Sequence, residues 1–297
     1  MKTYVITGAT GNTGKPISLG LLERGHKVRV ITRNGEKAQD LKDKGAEVFI
    51  GNPLDQSFLN SAFSGADAVY ALLPMDVQAP DYTAMQVAHA TAIKNAIVNS
   101  GIKYAVALSS VGAHLNEGTG VVLGLHKMEE LFNAVSDLNV KHIRATYFME
   151  NTLSQLQVIK HTGSMGSPVK GSIKFAMVAA KDVAAVALKY LLSLDFSGKS
   201  IEYVLGQRDI SYNEIAEVYG KAIGNPGLKY IDVPFEQFSK TMLEMGIGKS
   251  MVDKLLEFTK AINEGKVADF YKRTPENTTP TSIEEFAQKV KRLYDSV

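Results

Sequence analysis

Gly8-Ala9-Thr10-Gly11-Asn12-Thr13-Gly14 follows the apolar run Tyr4-Val5-Ile6-Thr7 and opens a segment of helical period with Pro16 near its start. A glycine-rich turn between a strand and a helix lets backbone N–H groups approach a pyrophosphate, and the helix N-terminus adds a dipole that favours negative charge. Glycine triplets also occur in ordinary strand-to-helix turns, but the strand before this one and the helix after it fit the dinucleotide reading. Gly8, Thr10, Gly11, Asn12, Thr13 and Gly14 are therefore candidates to hold the diphosphate of a nicotinamide dinucleotide.

Outward from this loop, β-branched runs at 4–7, 27–32, 47–50, 68–73, 104–109 and 141–145 alternate with helical-period segments near 15–24, 36–44, 56–63, 82–100 and 125–135. That alternation predicts six parallel strands in a doubly wound α/β sheet, a Rossmann fold. The expected layout is a dinucleotide-binding domain over 1–151, its core completed by about 175–193, and a smaller α/β substrate lobe over 152–297. Gly163, Gly166, Pro168 and Gly171 interrupt the period after Asn151 and suggest a loop or small subdomain as the substrate wall. Asp182 is expected to cap a helix over 183–192. A strand over 200–205, a helix opened by the capping box Ser211-x-x-Glu214, a strand over 228–233 and three more helices follow. The last opens on a second box, Ser282-x-x-Glu285, with Ile283, Phe286, Val290 and Leu293 on one face.

Composition bounds the function. The 297 residues are 45% hydrophobic and 22% charged, enough to bury a sizeable core, and the formal charge is only +2 with Lys and Arg scattered. No footprint for nucleic acid or an acidic membrane results. Without cysteine there is no disulfide, redox thiol or thiolate metal site. Met1-Lys2 leads straight into a strand, and Lys181, Asp182 and Lys189 break the apolar stretch 175–192, so a cytoplasmic protein without membrane insertion is expected.

About twenty residues beyond the glycines, an acid would bind the adenosine ribose of NAD, whereas an Arg accommodates the extra phosphate of NADP. Arg33 stands there, and Lys37 one helical turn on could add a second positive charge. NADP(H) is the preferred cofactor, with NAD(H) possible.

Thr7 through Gly14 together with Thr32-Arg33-Asn34 resembles the NmrA-like family of atypical short-chain dehydrogenase/reductases. That family includes quinone reductases, flavin-independent azoreductases, phenylcoumaran and pinoresinol reductases, and NADP-sensing regulators. Gly51-Asn52-Pro53-Leu54-Asp55 is similar to the family's Gly-Asp-x-x-Asp turn beside the adenine, with Asn52 replacing the usual acid. Leu72-Leu73-Pro74, Ser109-Ser110, His126-Lys127-x-Glu129, Arg144, Phe148-Met149-Glu150-Asn151 and the stretch Thr279-Pro280-Thr281 extend the likeness over nearly the whole chain. The resemblance implies that Asn52 and Leu54 lie near the adenine, that Leu73, Pro74 and the turn after Ser109 flank the nicotinamide, that Leu72 and Ser109 also contact the cofactor, and that Lys127 lies near its ribose. It implies neither flavin nor metal.

Ordinary short-chain dehydrogenases place a proton-donating Tyr four residues before that Lys; here the position is Leu123. Positioned acid–base catalysis contributes about 10² to 10⁴ in rate, which a simple ketone could hardly forgo. A quinone or azo compound spreads the charge left by hydride addition over a conjugated system, so positioning and one weak donor suffice. Tyr147 and His126 are the candidate donors, against packing as the alternative, and Tyr147 could also contact the cofactor. His26, His89, His114, His142 and His161 lack metal-ligand spacing, and no G-x-S-x-G elbow surrounds Ser109. Glu129-Glu130 and Glu284-Glu285 read as solvated helix faces, since neighbours on a helix point about 100° apart. The expected function is an NAD(P)H-dependent reductase of a small conjugated acceptor, monomeric or homodimeric. Two alternatives remain: a non-catalytic NADP(H) sensor and, more weakly, a sugar-nucleotide epimerase.

Overall fold

The computed structural model describes residues 1–267 and 270–296. The chain runs β1 (Thr3–Ile6), α1 (Gly14–Leu22), β2 (Lys27–Thr32), α2 (Gln39–Asp43), β3 (Glu47–Ile50), α3 (Gln56–Phe63), β4 (Ala68–Ala71), α4 (Tyr82–Ser100), β5 (Tyr104–Ser110), α5 (Leu123–Asn133) and β6 (Asn139–Ala145). It continues with β7 (Tyr147–Phe148), α6 (Gln155–Thr162), β8 (Ser164–Ser167), β9 (Phe175–Val178), α7 (Ala180–Ser193), β10 (Lys199–Val204), β11 (Asp209–Ile210), α8 (Tyr212–Ile223), β12 (Lys229–Asp232), α9 (Phe235–Glu244), α10 (Lys249–Asn263) and α11 (Ile283–Ser296).

One seven-stranded parallel sheet, ordered β10-β6-β5-β4-β1-β2-β3, forms the centre. Its strands are apolar on both sides because helices cover both faces. Tyr4 and Ile6 point to one face with Ile17 and Leu21 of α1 and Val183, Ala187 and Leu191 of α7. Val5, between them, points to the other, with Leu59 and Phe63 of α3, Ile93 and Ile97 of α4, and Met128 and Phe132 of α5. The period of two along β1 thus serves two cores at once. The Tyr4 hydroxyl, in the first, donates to the Leu191 carbonyl at 2.9 Å and locks α7 to the sheet.

The sheet has a strand more than the six expected. β10, read with the substrate lobe, pairs in register with all of β6 from Lys199↔Val140 to Val204↔Ala145. Chain order misled here: the segment leaves the sheet after β6 and returns through α7 to its edge.

A third core, with Met165, Phe175, Ile215, Tyr219, Phe286 and Val290, lies under α6, α8 and α11 and the small sheets β11-β9-β7 and β12-β8. The stretch after Asn151, expected as a loop or small subdomain, carries α6 and β8, and β8 pairs with β12 from 65 residues ahead, a partner no local pattern announces. The box at Ser211 forms in full, with Glu214 N–H on Ser211 Oγ at 3.2 Å and Ser211 N–H on the Glu214 carboxylate at 2.9 Å. At α11 only half forms, Glu285 N–H to Ser282 Oγ at 3.0 Å, because the Glu285 carboxylate turns to Lys181 at 2.5 Å. Asp182 does not cap α7. The Glu150 carboxylate takes the Ala180 N–H at 3.0 Å, and Asp182 instead accepts from Thr281 N–H at 3.1 Å and Thr281 Oγ1 at 2.8 Å, anchoring the C-terminal stretch. Among the described residues no helix is long and apolar enough to cross a membrane.

Candidate functional site

The strand order reverses at β1, between β2 and β4, which opens a crevice at the carboxyl ends of these strands. The glycine loop fills its floor. Gly8 adopts φ +63°, a left-handed conformation costly for other residues, and a Cβ on it would stand 2.6 Å from Leu72 Cδ2. A Cβ on Gly14 would lie 2.3 Å from the Gly8 carbonyl and 2.8 Å from Ala9 Cα, so α1 starts hard against the loop. Gly11 N–H closes the turn onto Gly8 O at 3.0 Å. No side chain caps α1. Lys15 N–H goes to Gly11 O at 3.1 Å and Pro16 has none, which leaves the Gly14 N–H at the helix start for an anion, as a pyrophosphate needs. The Thr13 hydroxyl cannot serve as the cap, for it is buried and accepts from Tyr70 OH at 2.9 Å. Asn12 is exposed at the loop tip, and Thr10 lines the cleft.

From the loop a cleft of about 280 Å³ runs past Gly8, Thr10 and Thr7 to Arg33, Lys37, Pro53 and His89. Arg33 and Lys37 are exposed. Among the described residues neither meets a carboxylate, unlike Lys15, which pairs with Asp40, and Arg29, which pairs with Glu47. Two unneutralised cations at one rim suit a phosphate monoester. Asn52 and Leu54 hold the turn: Asn52 Oδ1 accepts from Leu54 N–H at 3.0 Å, leaving Pro53 as the turn's contact with the cleft. His89 comes from α4, among Ile31, Leu59 and Ile93, and sequence reading missed it. Its position one turn before Ile93, on the same face of α4, was the available signal.

Beyond β4 the chain alternates. Leu72 and Pro74 line the cleft, whereas Leu73 is 8% exposed and packs in the core beneath. Thr7, also missed, joins the two strands that frame the crevice: its hydroxyl donates to Leu72 O at 3.0 Å and accepts from Leu72 N–H at 2.7 Å.

Ser109 is turned inward. Its hydroxyl donates to Glu129, which also receives Arg144 Nε at 3.0 Å and Nη2 at 2.7 Å, while Arg144 Nη1 reaches Tyr203 OH at 3.0 Å. Glu129 is 5% exposed, so the reading of both Glu129 and Glu130 as solvated is corrected: the rotation that exposes Glu130 turns Glu129 towards β6. Glu130 gathers the other two candidates. Lys127 Nζ lies 2.7 Å and His126 Nε2 3.2 Å from its carboxylate, and His126 Nδ1 meets Ala113 O at 2.8 Å. The Glu130 carboxyl is held below the usual range chiefly by the Lys127 hydrogen bond.

Tyr147 stands apart from that group, half-buried in a small cavity shared with Val111, Phe175, Phe258 and Tyr271. Tyr212 OH donates to the Tyr147 oxygen at 3.1 Å, and Phe175 packs edge-on at 5.6 Å between ring centres. Burial raises the Tyr147 hydroxyl above its ordinary pKa, so it stays protonated and its hydrogen is available to donate. Thus the structure brings Gly8, Thr10, Arg33, Lys37, Leu72 and Pro74 together along one cleft, while neither Lys127 nor His126 is among the residues lining the Tyr147 cavity.

The chain matches the model of the NmrA-like family over residues 1–287. It is 26% identical to an NAD(P)H azoreductase of Xenophilus azovorans over 253 residues, 85% of each protein. Its fold is that of the NADPH-dependent quinone oxidoreductase of Escherichia coli complexed with NADPH, at TM-score 0.81 and 20% identity over 97% of this chain and 99% of that one. NmrA, a negative transcriptional regulator in complex with NADP, superposes at TM-score 0.72 and 16% identity over 99% and 97% of the two chains. That match runs from the glycine loop through the doubly wound sheet to residue 287, and the protein belongs to the NmrA-like family.

Proposed function

We propose that this protein is an NAD(P)H-dependent oxidoreductase that prefers NADPH and reduces a small conjugated acceptor, a quinone or an azo compound. The observation that carries the reading is the uncapped start of α1 beside Gly8 and Gly14, together with a cleft that reaches two cations meeting no carboxylate among the described residues. Gly8, Thr10, Gly11, Asn12, Thr13 and Gly14 hold the diphosphate, mostly by backbone N–H, and Arg33 with Lys37 takes the adenosine-side phosphate. Leu72 and Pro74 line the way towards the nicotinamide, and a reduced nicotinamide bound there supplies the hydride. Ser109 supports the β5 end from below rather than touching the cofactor.

The acceptor sits against Tyr147, whose hydroxyl donates the proton while Tyr212 supports its oxygen. Lys127, paired with Glu130, is not needed for that step. The azoreductase relative and the quinone oxidoreductase fold support an acceptor whose added charge is delocalised. Leu123 removes the acid that ketone reduction or sugar epimerisation would use.

Steady-state oxidation of NADPH with a panel of quinones and azo dyes tests this. Turnover with at least one class, with kcat/KM higher for NADPH than for NADH, is expected. Tight NADPH binding with no turnover over the panel would leave a cofactor sensor, the role that Leu123 in place of the usual Tyr would then favour.

A further inference from the structure

His89 is 8% exposed and lines the cleft with Ile31, Leu59, Ile93 and Pro53. Ile31, Leu59 and Ile93 belong to one apolar cluster. A polar ring buried in an apolar slot costs free energy unless something pairs with it. Burial lowers its pKa first, Arg33 lowers it further and Asp76 opposes them, and neither ring nitrogen is hydrogen-bonded to another of the described residues. The ring is therefore neutral near pH 7, with one nitrogen that donates and one that accepts.

The location follows from the reading above, on which this inference rests. If Arg33 meets the phosphate on the adenosine ribose, the base leaves the next carbon of the same sugar, and the slot lined by Pro53, Leu59 and Ile93 is the apolar space within that reach. A purine is flat and apolar on its faces and polar at its edge. Aliphatic walls suit the faces, and one neutral donor–acceptor group beside them suits the edge.

We propose that His89 hydrogen-bonds the edge of the adenine base, and so makes this protein select the adenosine half of either dinucleotide independently of the 2′-phosphate that Arg33 selects. The two residues divide the work: charge at the rim reads the phosphate, and the imidazole in the slot reads the purine.

The test is equilibrium binding followed by nicotinamide fluorescence, which needs no acceptor, for NADPH, NADH and reduced nicotinamide mononucleotide, which lacks the adenosine. His89→Leu is expected to weaken NADPH and NADH by the same factor, about tenfold as for one neutral hydrogen bond, and to leave the mononucleotide unchanged. His89→Gln, which can still donate and accept, recovers part of the loss. Arg33→Ala weakens NADPH alone. Unchanged dinucleotide binding by His89→Leu, a loss confined to NADPH, or an equal loss for the mononucleotide would each overturn the proposal. Wild-type protein that binds neither dinucleotide would overturn the cofactor reading itself, a result distinct from all three.

Discussion

Arg144 forks onto Glu129, Nε on one carboxylate oxygen at 3.0 Å and Nη2 on the other at 2.7 Å, with both side chains 7% exposed. The pair ties α5 to β6 directly behind Ser109. Removing one member of a buried pair strands the other charge, which costs about 3–5 kcal/mol, whereas replacing both by apolar groups of similar volume is often near neutral. Glu129→Leu and Arg144→Met should therefore each lower stability by that amount, and the double variant should lose clearly less than the sum of the two. Urea unfolding of the four proteins measures it, and additive losses would contradict a coupled pair.

The loop glycines should differ in the penalty for a methyl group. Gly14→Ala drives a Cβ to 2.3 Å from a backbone oxygen, which only a shift of α1 relieves, while Gly11→Ala meets the same Gly8 oxygen at 3.3 Å. Gly14→Ala is expected to weaken NADPH binding by more than tenfold and to cost about 1–3 kcal/mol in stability, as overpacking does. Gly11→Ala should do much less on both counts. Titration of NADPH fluorescence against the two variants decides between this ranking and its reverse.

What could be read beforehand divides along sequence distance. The strand-turn-helix at the glycines and the place of Arg33 just past β2 were legible because spacing along the chain is itself the signal. Glu129 was not: it has the residue type of its neighbour Glu130, and only the direction of α5 relative to Arg144 on β6 buries one and exposes the other. Asp182 illustrates the same limit. An acid in the first turn reads as a cap, but Glu150, 30 residues upstream, already holds the Ala180 N–H, which frees Asp182 to hold Thr281. β10 was found as a strand and misassigned as to sheet, since pairing with β6 depends on where α7 returns the chain.

His142 on β6 sets an acid limit. It is 1% exposed, its Nε2 lies 2.9 Å from Asn133 Oδ1, and burial foremost lowers its pKa from 6.5 to about 4. The unfolded chain binds this proton below 6.5 and the folded one only near 4, so the stability is present above pH 6.5 and lost as pH falls towards 4. At 1.36 kcal/mol for each unit, the loss between pH 7 and 4.5 is about 2–3 kcal/mol from this residue. His142→Leu should shrink the difference in unfolding free energy between those two pH values by that amount. An unchanged difference would show that other groups govern the acid limb.

Tyr147 and Lys127 make opposite predictions for turnover. Nζ of Lys127 is engaged by Glu130 on the exposed side of α5, so Lys127→Ala should leave kcat within about twofold, against the large loss expected wherever a positioned acid or base is removed. Tyr147→Phe keeps the ring against Phe175 and removes the hydroxyl that Tyr212 supports. Hydride addition to an azo bond leaves a nitrogen anion far more basic than the phenolate left from a quinone, so a proton delivered in step matters more for the azo substrate. Tyr147→Phe is therefore expected to lower kcat about tenfold or more for azo dyes and less for quinones, with NADPH affinity unchanged. Because burial holds the hydroxyl above its ordinary pKa, kcat should show no Tyr147 titration from about pH 6 to 9. An equal loss for both acceptor classes would make Tyr147 a shaping residue of the cavity rather than its acid.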